Sequence, residues 1–255
     1  MNCYAIRTCI CIAIFSFLMW GCKKENTDNN LLCKLSSVRY WDFPNNLSYI
    51  NYEYDTQGRV IKETSQNDPV MFHYYKDSVV IDEGFRTTVY YLNASGLAVT
   101  AKQTFKDNSN SYTMAYAYNS DGYLTSIQQI FTGIDLNNGN GAILKDTNYH
   151  YFTIQNGNLI KRIDVKPAYV VNYVYSTELV NDNIANVINQ VFYLFPASFL
   201  GKSSKNKLIK KIDEFGYTIY NISYKYDSNG NIITMTQSDS TGLPILNHQF
   251  DYQCN

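Results

Sequence analysis

Apolar and polar residues alternate along most of the chain after residue 32, in runs of five to nine residues that are separated by turn-forming residues. The clearest runs are Val70–Tyr75, Thr87–Leu92, Tyr112–Tyr118, Tyr169–Tyr175 and Tyr217–Tyr226. Alternation with period 2 places successive side chains on opposite faces of a strand, as half-buried antiparallel strands require. From the number and length of such runs, the pattern predicts roughly 12 to 14 strands.

One motif recurs between these runs. Tyr52–Val60 is repeated as Tyr116–Leu124 and Tyr224–Ile232, with looser copies at Tyr90–Ala98 and Tyr151–Leu159. The shared pattern is Tyr-x-Tyr-Asp/Asn-x-x-Gly-x-apolar. Both tyrosines lie on one face of a strand, the Asp or Asn side chain opens a turn, and Gly adopts a positive φ where the chain folds back. The motif therefore predicts a β-hairpin at each copy.

So many consecutive hairpins need a way to protect the sheet edges, and a closed or rolled sheet provides it. The uneven spacing of the motif glycines favours a meander over a solenoid. We expect an all-β fold, an antiparallel meander rolled into a barrel-like sheet. Two stretches break the pattern and are expected as long loops, the second with one or two helical turns: Thr132–Asp146 and Leu179–Lys207.

The first 21 residues are typical of a targeting signal. Cys9–Trp20 is an apolar run that is shorter than the about 20 residues of a membrane span but fits the central region of a secretory signal. Gly21-Cys22 resembles a bacterial lipobox, although Met19 and Trp20 are unusual there. We predict a lipoprotein signal peptide (1–21), with lipidation at Cys22. The alternatives are an ordinary cleavable signal and a short N-terminal anchor.

The mature chain would then consist of a lipidated polar tether (22–32) and a single β domain (33–255). Its remaining cysteines are Cys33 and Cys254, one at each end of the domain. An even pair in an exported protein favours a disulfide, which would join the first and last strands. Two unpaired thiols are the alternative. With the domain's termini at one rim, we expect the other rim, with its Asp/Asn-x-x-Gly turns or longer loops, to be displayed to partners.

Composition and charge narrow the function classes. The chain has 24 Tyr, 5 Pro and 3 His, 45% hydrophobic residues and a net charge of -1. The balanced charge gives no electrostatic footprint for nucleic acid. Strand runs such as Gly58–Glu63 and Asn158–Asp164 carry several charges, and a Lys or Arg facing lipid at mid-bilayer costs about 2 to 4 kcal/mol. We therefore expect a soluble barrel that contacts the membrane only through its lipid.

The lipobox, the Tyr-x-Tyr-Asp-x-x-Gly hairpins and the segment Phe199–Ile212 together resemble the Bacteroidetes lipoproteins of the uncharacterised DUF4595 family. The resemblance spans about residues 33–255. It implies a porin-like antiparallel β fold and an outer-membrane lipoprotein, on the periplasmic side or at the cell surface. It implies no activity and no functional residues.

No catalytic, cofactor or metal site is predicted. His73, His150 and His248 lack metal-ligand spacing and are expected at strand surfaces or as satisfied core residues. The neighbouring carboxylates in Asp82-Glu83 and Asp213-Glu214 would point to opposite faces of a strand. Asp227–Asn231 has calcium-like residues, but it lacks the spacing of an EF-hand loop and its turn role explains it.

The tyrosines are the remaining functional signal, because rows of Tyr can fill a barrel or stack on sugar faces. Two hypotheses stand from different classes. The first is a non-catalytic binding or adhesion module for a glycan or protein partner, and the second is a structural envelope domain. A secreted hydrolase comes third. A solvent-facing aromatic patch with nearby amides would favour binding, and a cleft with two carboxylates would favour a glycosidase.

Overall fold

The structure is a computed structural model that describes residues 33–42, 46–66, 68–107, 110–134, 143–180 and 198–254. Lys34–Gln253 form one compact unit, and Cys33 and Cys254 belong to a second one. The described residues form sixteen β-strands and one short 3₁₀ turn. The expectation of 12 to 14 strands was too low, because several strands of five residues are joined by very short turns.

The strands follow one another along the chain. In the first half they are β1 (Cys33–Asp42), β2 (Asn46–Tyr54), β3 (Val60–Thr64), β4 (Val70–Tyr74), β5 (Ser78–Asp82), β6 (Arg86–Leu92), β7 (Ala98–Phe105) and β8 (Asn110–Tyr118). In the second half they are β9 (Leu124–Ile134), β10 (Ile143–Gln155), β11 (Asn158–Asp164), β12 (Tyr169–Leu179), β13 (Asn206–Ile212), β14 (Thr218–Tyr226), β15 (Ile232–Ser238) and β16 (Pro244–Cys254).

Each strand pairs antiparallel with its neighbour in sequence, and β1 lies beside β16, so the sheet is a closed barrel. This confirms the all-β, rolled antiparallel meander. Side chains also cross the closing seam. Asp251 on β16 accepts a hydrogen bond from the Ser37 hydroxyl at 2.8 Å and pairs with Arg39 at 3.1 Å. Closure pairs each of the sixteen described strands on both sides, so none of them offers a free edge to another chain.

Apolar side chains fill the interior. Alternate residues of each strand point inward, as the buried Val79 and Ile81 on β5 illustrate. Fully buried members of the core include Leu35, Val38, Val60, Val79, Tyr90, Leu208, Met235 and Phe250. Partly buried tyrosines, among them Tyr54, Tyr118, Tyr175, Tyr224 and Tyr252, pack against this core. Most of the tyrosine content therefore serves the interior.

The recurring motif forms the predicted turn. In the first copy, one Asp55 carboxylate oxygen accepts hydrogen bonds from the main-chain N–H of Gln57 and Arg59, both at 2.9 Å. Gly58 closes the turn at φ +79°, a conformation that a side chain would strain. The same geometry recurs at Asn93, Asn119, Asp213, Asp227 and Asp239. The turns at Asp213 and Asp239 lack the preceding Tyr-x-Tyr.

The looser copy at Tyr151–Leu159 is a different turn. Asn156 and Gly157 both have positive φ (51° and 77°), which is the two-residue turn typical of Asn-Gly hairpins. Asn158 then pairs directly with Gln155 across the hairpin. The spacing of the tyrosines was therefore not sufficient to define the turn.

Strand order corrects the expectation about which rim carries the motif turns. The hairpins β2–β3, β6–β7, β8–β9, β10–β11 and β14–β15 all turn at the end of the barrel where β1 begins and β16 ends. We call it the terminal end. The five copies of the motif therefore lie at the terminal end, whereas the Asp-x-x-Gly turns at Asp213 and Asp239 lie at the opposite rim.

The two expected loops differ from the prediction. The connection expected over Thr132–Asp146 is shorter than predicted, because β9 continues to Ile134 and β10 starts at Ile143. Within Leu179–Lys207, residues 181–197 lie outside the described part, and Ser198–Leu200 form the 3₁₀ turn. Phe199 of this turn is buried against the ring of Tyr90, with centroids 5.0 Å apart. The segment that follows is tied to the turns of the terminal end, since Lys202 N–H donates to Gly122 and Lys205 N–H to Gly157.

Candidate functional site

Two of the three cysteines predicted to carry covalent chemistry are described. The Cys33 and Cys254 sulfurs are bonded at 2.01 Å, so the predicted disulfide is present. Their Cα atoms are 4.0 Å apart, which is closer than the about 4.4 to 6.8 Å that is usual. Cys22, the signal peptide and the tether lie outside the described residues, and lipidation stays a prediction.

The three histidines have three different environments. His73 is exposed on β4. His248 is 2% exposed, its ring is 6.1 Å from that of Phe250, and burial lowers its pKa to about 4. His150 on β10 places Nδ1 2.5 Å from a carboxylate oxygen of Asp164. Sequence reasoning found no partner for His150, because Asp164 lies fourteen residues away and becomes its neighbour only through the register of β10 and β11.

The carboxylates considered as candidates serve turns. Asp213 and Asp227 each accept two main-chain N–H bonds, and Asp82 accepts one from Gly84. Hydrogen bonds from Asn231 and the turn hold the pKa of Asp227 below its usual range. Within the described ranges, no three His, Cys, Asp or Glu side chains are grouped to hold a metal ion.

An exposed aromatic pair lies on the outer face of β10. Tyr149 and Tyr151 are two residues apart on one strand, so both rings point outward. Their ring planes differ by only 5°, with centroids 6.2 Å apart, and the residues are 36% and 46% exposed. Other aromatic residues, such as Tyr75, Phe215 and Tyr217, are also exposed, but the two rings of this pair lie side by side and nearly parallel, so we treat the pair as the candidate site.

Polar and small residues border the pair on the side of β9 and β8. Gln128 on β9 lies directly opposite Tyr149, and its side-chain amide donates to the Tyr149 hydroxyl at 3.1 Å. Ser126 lies opposite Tyr151, and Ala115 and Ala117 follow on β8. On the other side of the pair, Ile163 of β11 lies opposite Tyr151, and the Val165 main-chain N–H donates to the Tyr149 carbonyl. We call Tyr149, Tyr151 and Gln128 the aromatic platform.

A polar cluster lies on the inner face of β10, β11 and β13. Asp164 is 8% exposed and accepts the Arg162 Nε–H at 2.8 Å in addition to its contact with His150. Lys211 on β13 faces inward beside Tyr173, with its amine 5.9 Å from the ring centroid. Burial, together with the charge of Arg162, lowers the pKa of Lys211 to about 8. The cluster therefore combines three basic side chains, those of His150, Arg162 and Lys211, with the Asp164 carboxylate.

None of the helical segments within the described ranges is long and apolar enough to cross a membrane.

Comparison with solved structures shows which known fold the barrel shares. A porin-like protein from Bacteroides uniformis ATCC 8492 superposes with a TM-score of 0.63 over 86% of this chain and 98% of that one, at 15% identity. The likeness is one of fold. A porin-like protein from Bacteroides vulgatus ATCC 8482 gives 0.59 over 87% and 99%, also at 15% identity. The chain thus shares a porin-like fold with Bacteroides proteins, as the resemblance implied.

A scan of family models finds no match to the sequence, and a search of curated proteins finds none either. Membership of DUF4595 therefore stays a prediction.

Proposed function

We propose that this protein is a lipid-anchored, non-catalytic module of the bacterial cell envelope that binds glycans on the aromatic platform. The observation that carries the proposal is the exposed, parallel pair Tyr149 and Tyr151 with the Gln128 amide bonded to one of them. Aromatic rings offer flat apolar faces that match the apolar faces of sugar rings. The amide supplies a polar group of the kind that fixes ligand orientation.

The shape of the surface favours a glycan over a folded protein as the ligand. The platform is formed by few side chains and is bordered by the small residues Ala115, Ala117 and Ser126 on one side and by Ile163 on the other. A stable protein–protein interface buries about 800 Å² on each partner around a central apolar cluster. Two tyrosines and one amide are sufficient for a sugar chain, which needs stacking faces and hydrogen bonds.

The polar cluster does not favour the hydrolase alternative. Glycosidases use two carboxylates on either side of the scissile bond. The cluster around Asp164 contains one carboxylate, and that carboxylate is already bonded to Arg162 and His150. Asp164 therefore holds the side chains of Arg162 and His150 in place.

The distribution of charges supports attachment by lipid instead of insertion of the barrel. Exposed charged side chains stand on the outer face of several strands, such as Glu53 on β2, Lys102 on β7 and Lys225 on β14. Membrane barrels have an apolar outer band and a polar lumen, whereas here apolar side chains fill the interior. We propose that Cys22 carries the lipid, and that the barrel is held at the outer membrane, facing the periplasm or the cell surface.

A glycan array probed with the purified protein tests the proposal. We expect binding to at least one soluble glycan, and a signal at least tenfold lower for the Tyr149→Ala/Tyr151→Ala double variant. Tyr91→Ala is the matched control, because Tyr91 is 49% exposed on the outer face of β6, away from the platform. If the double variant still binds the glycan, the binding site lies on another surface of the protein. An array without any signal would contradict a glycan-binding function.

A further inference from the structure

A cavity of about 180 Å³ lies on the inner face of β8–β11, on the opposite side of the sheet from the aromatic platform. One wall is apolar and is formed by Met114, Leu124, Ile127 and Leu200. The first three of these side chains are buried in the barrel core. A cavity of about 150 Å³ can hold a benzene molecule, so the volume fits a ligand with a single ring or a short branched chain.

The other wall contains two polar side chains with hydrogen-bonding capacity left for a ligand, Gln129 on β9 and His150 on β10. The Nδ1 atom of His150 lies 2.5 Å from Asp164, and a carboxylate there keeps the proton on Nδ1. The Nε2 atom of His150 is therefore a lone-pair acceptor. Among the described residues, neither Nε2 nor the Gln129 amide has a hydrogen-bond partner, and both remain accessible to water.

The two polar groups are close enough to meet one ligand group. His150 lies opposite Ile127 in the pairing of β9 with β10, and Gln129 is two residues further along β9 on the same face. Such diagonal neighbours across a strand pair are within reach of long side chains. The acceptor of His150 and the amide of Gln129 therefore border the same part of the cavity.

The cavity wall offers no unpaired charge to an ion. Arg162 also lines the cavity, but its Nε–H donates to Asp164 at 2.8 Å, and its guanidinium also bonds the Tyr173 hydroxyl. The Asp164 carboxylate thus balances the charge of Arg162, and the Lys211 amine is not part of the wall. A carboxylate ligand would in addition face the lone pair of His150. These contacts favour an uncharged ligand.

We propose that this cavity is a second binding site, for a small uncharged molecule that carries a hydroxyl on a ring or on a short branched body. The hydroxyl donates to His150 Nε2 and accepts from the Gln129 amide, because one hydroxyl both donates and accepts. The body packs against the apolar wall. A purely apolar ligand would displace water from the two polar groups without replacing its hydrogen bonds. The site is independent of the aromatic platform.

Calorimetric titration of the purified protein with phenol at neutral pH tests the proposal. Toluene has nearly the same shape and lacks the hydroxyl, whereas benzoate carries a charge. We expect saturable 1:1 binding of phenol, with at least tenfold weaker binding of toluene and of benzoate. Nitrogen NMR of the histidine side chains gives a second readout, in which phenol should shift the Nε2 resonance of His150 and leave those of His73 and His248 in place.

Substitutions separate the polar contact from the apolar one. Gln129→Leu removes the amide and keeps the size of the side chain, so it should weaken phenol binding at least fivefold without weakening toluene binding. Gln155→Leu is the matched control, because Gln155 is exposed at the end of β10, and it should change neither. Ile127→Phe fills the cavity and should abolish phenol binding.

The wild-type measurements decide the outcome even if a variant fails to fold. Absence of phenol binding would overturn the proposal. Equal binding of toluene would identify a purely apolar cavity, and equal binding of benzoate an anion site, and either result would overturn it as well. Phenol binding that leaves the His150 Nε2 resonance unchanged would place the ligand outside this cavity, with the same consequence.

Discussion

The hydroxyl of Tyr118 on β8 donates a hydrogen bond of 2.9 Å to the main-chain carbonyl of Ala98 on the preceding strand, β7. Three further inward-facing tyrosines on even-numbered strands do the same to the strand before them. They are Tyr54 to Leu35, Tyr224 to Leu208 and Tyr252 to Ile232. All four tyrosines lie close to the terminal end. The phenol ring fills the interior while its hydroxyl ties two strands together, which accounts for the abundance of tyrosine in these hairpins.

Removal of one such hydroxyl tests its contribution. Tyr118→Phe keeps the ring but leaves the Ala98 carbonyl, at a fully buried residue, without this donor. We expect the free energy of unfolding to fall by about 1 to 2 kcal/mol in urea denaturation. Tyr91→Phe, on the exposed face of β6, should change it by less than about 0.5 kcal/mol. Equal effects of the two substitutions would contradict a specific role for the hydroxyl.

Much of this fold follows from local sequence. The Asp/Asn-x-x-Gly spacing identifies the turns, because the side-chain acceptor and the positive-φ glycine both act within five residues. Period-2 alternation identifies the longer strands. A short strand such as β5 is less visible, since a turn of only three residues separates it from Tyr74 at the end of β4, and this explains why the predicted number of strands was too low.

The candidate sites depend on register, which the sequence does not encode locally. Tyr149 and Tyr151 are an ordinary Tyr-x-Tyr pair in sequence, and only the pairing of β10 with its neighbours turns them outward. The contact of His150 with Asp164 likewise requires the two strands to pair at that position. Tyr54 belongs to the recurring motif and points into the barrel, whereas Tyr151 belongs to the aromatic platform and points outward. The two tyrosines stand in similar sequence patterns, so the pattern alone does not predict which face of the barrel wall a tyrosine occupies.

Alkaline pH should destabilise the barrel through its buried phenols. Burial raises the pKa of Tyr54 and of Tyr74 to about 12, from an ordinary value of 10. The folded state therefore keeps these phenols protonated where the unfolded chain ionises them. Their contribution to stability is complete below pH 10 and is lost as the pH rises from 10 to 12.

Tyrosinate absorbance, recorded together with the free energy of unfolding between pH 9 and 12, measures this loss. We expect a group of tyrosines that ionise only when the barrel unfolds. Ionisation of all tyrosines in one phase near pH 10, with the fold intact, would contradict the buried environment of these rings.

Glu63 should make the barrel less stable as the pH rises through neutrality. Burial and the charge of Glu83 raise the pKa of Glu63 to about 7, from 4.5. The folded state thus holds a proton that the unfolded chain releases at lower pH, and this contribution to stability is lost between pH 4.5 and 7. At pH 8, Glu63→Gln should stabilise the protein by about 2 to 3 kcal/mol.

The stabilisation by Glu63→Gln should shrink at pH 4.5, where the native carboxyl is itself protonated. Glu53→Gln is the matched control, because Glu53 is exposed on the outer face and pairs with Lys62. A constant difference between Glu63→Gln and wild type across this pH range would show that Glu63 does not titrate as described.

The disulfide should contribute strongly to stability, because Cys33 and Cys254 are 221 residues apart. Restriction of so long a loop in the unfolded chain gives at most about 5 kcal/mol in the chain-entropy model. We expect Cys254→Ser to lower the melting temperature under oxidising conditions and to match the wild type in reductant. A difference that persists in reductant would show that the substitution acts through packing instead.

Affinity electrophoresis tests the central claim, glycan binding on the aromatic platform, most directly. Wild type, Tyr149→Ala/Tyr151→Ala and Tyr91→Ala are run side by side in native gels that contain soluble bacterial, plant or host polysaccharides. We predict that at least one polysaccharide retards the wild type and Tyr91→Ala equally, while the double variant migrates as in a gel without polysaccharide. Equal retardation of all three proteins, or retardation of none, would contradict the account.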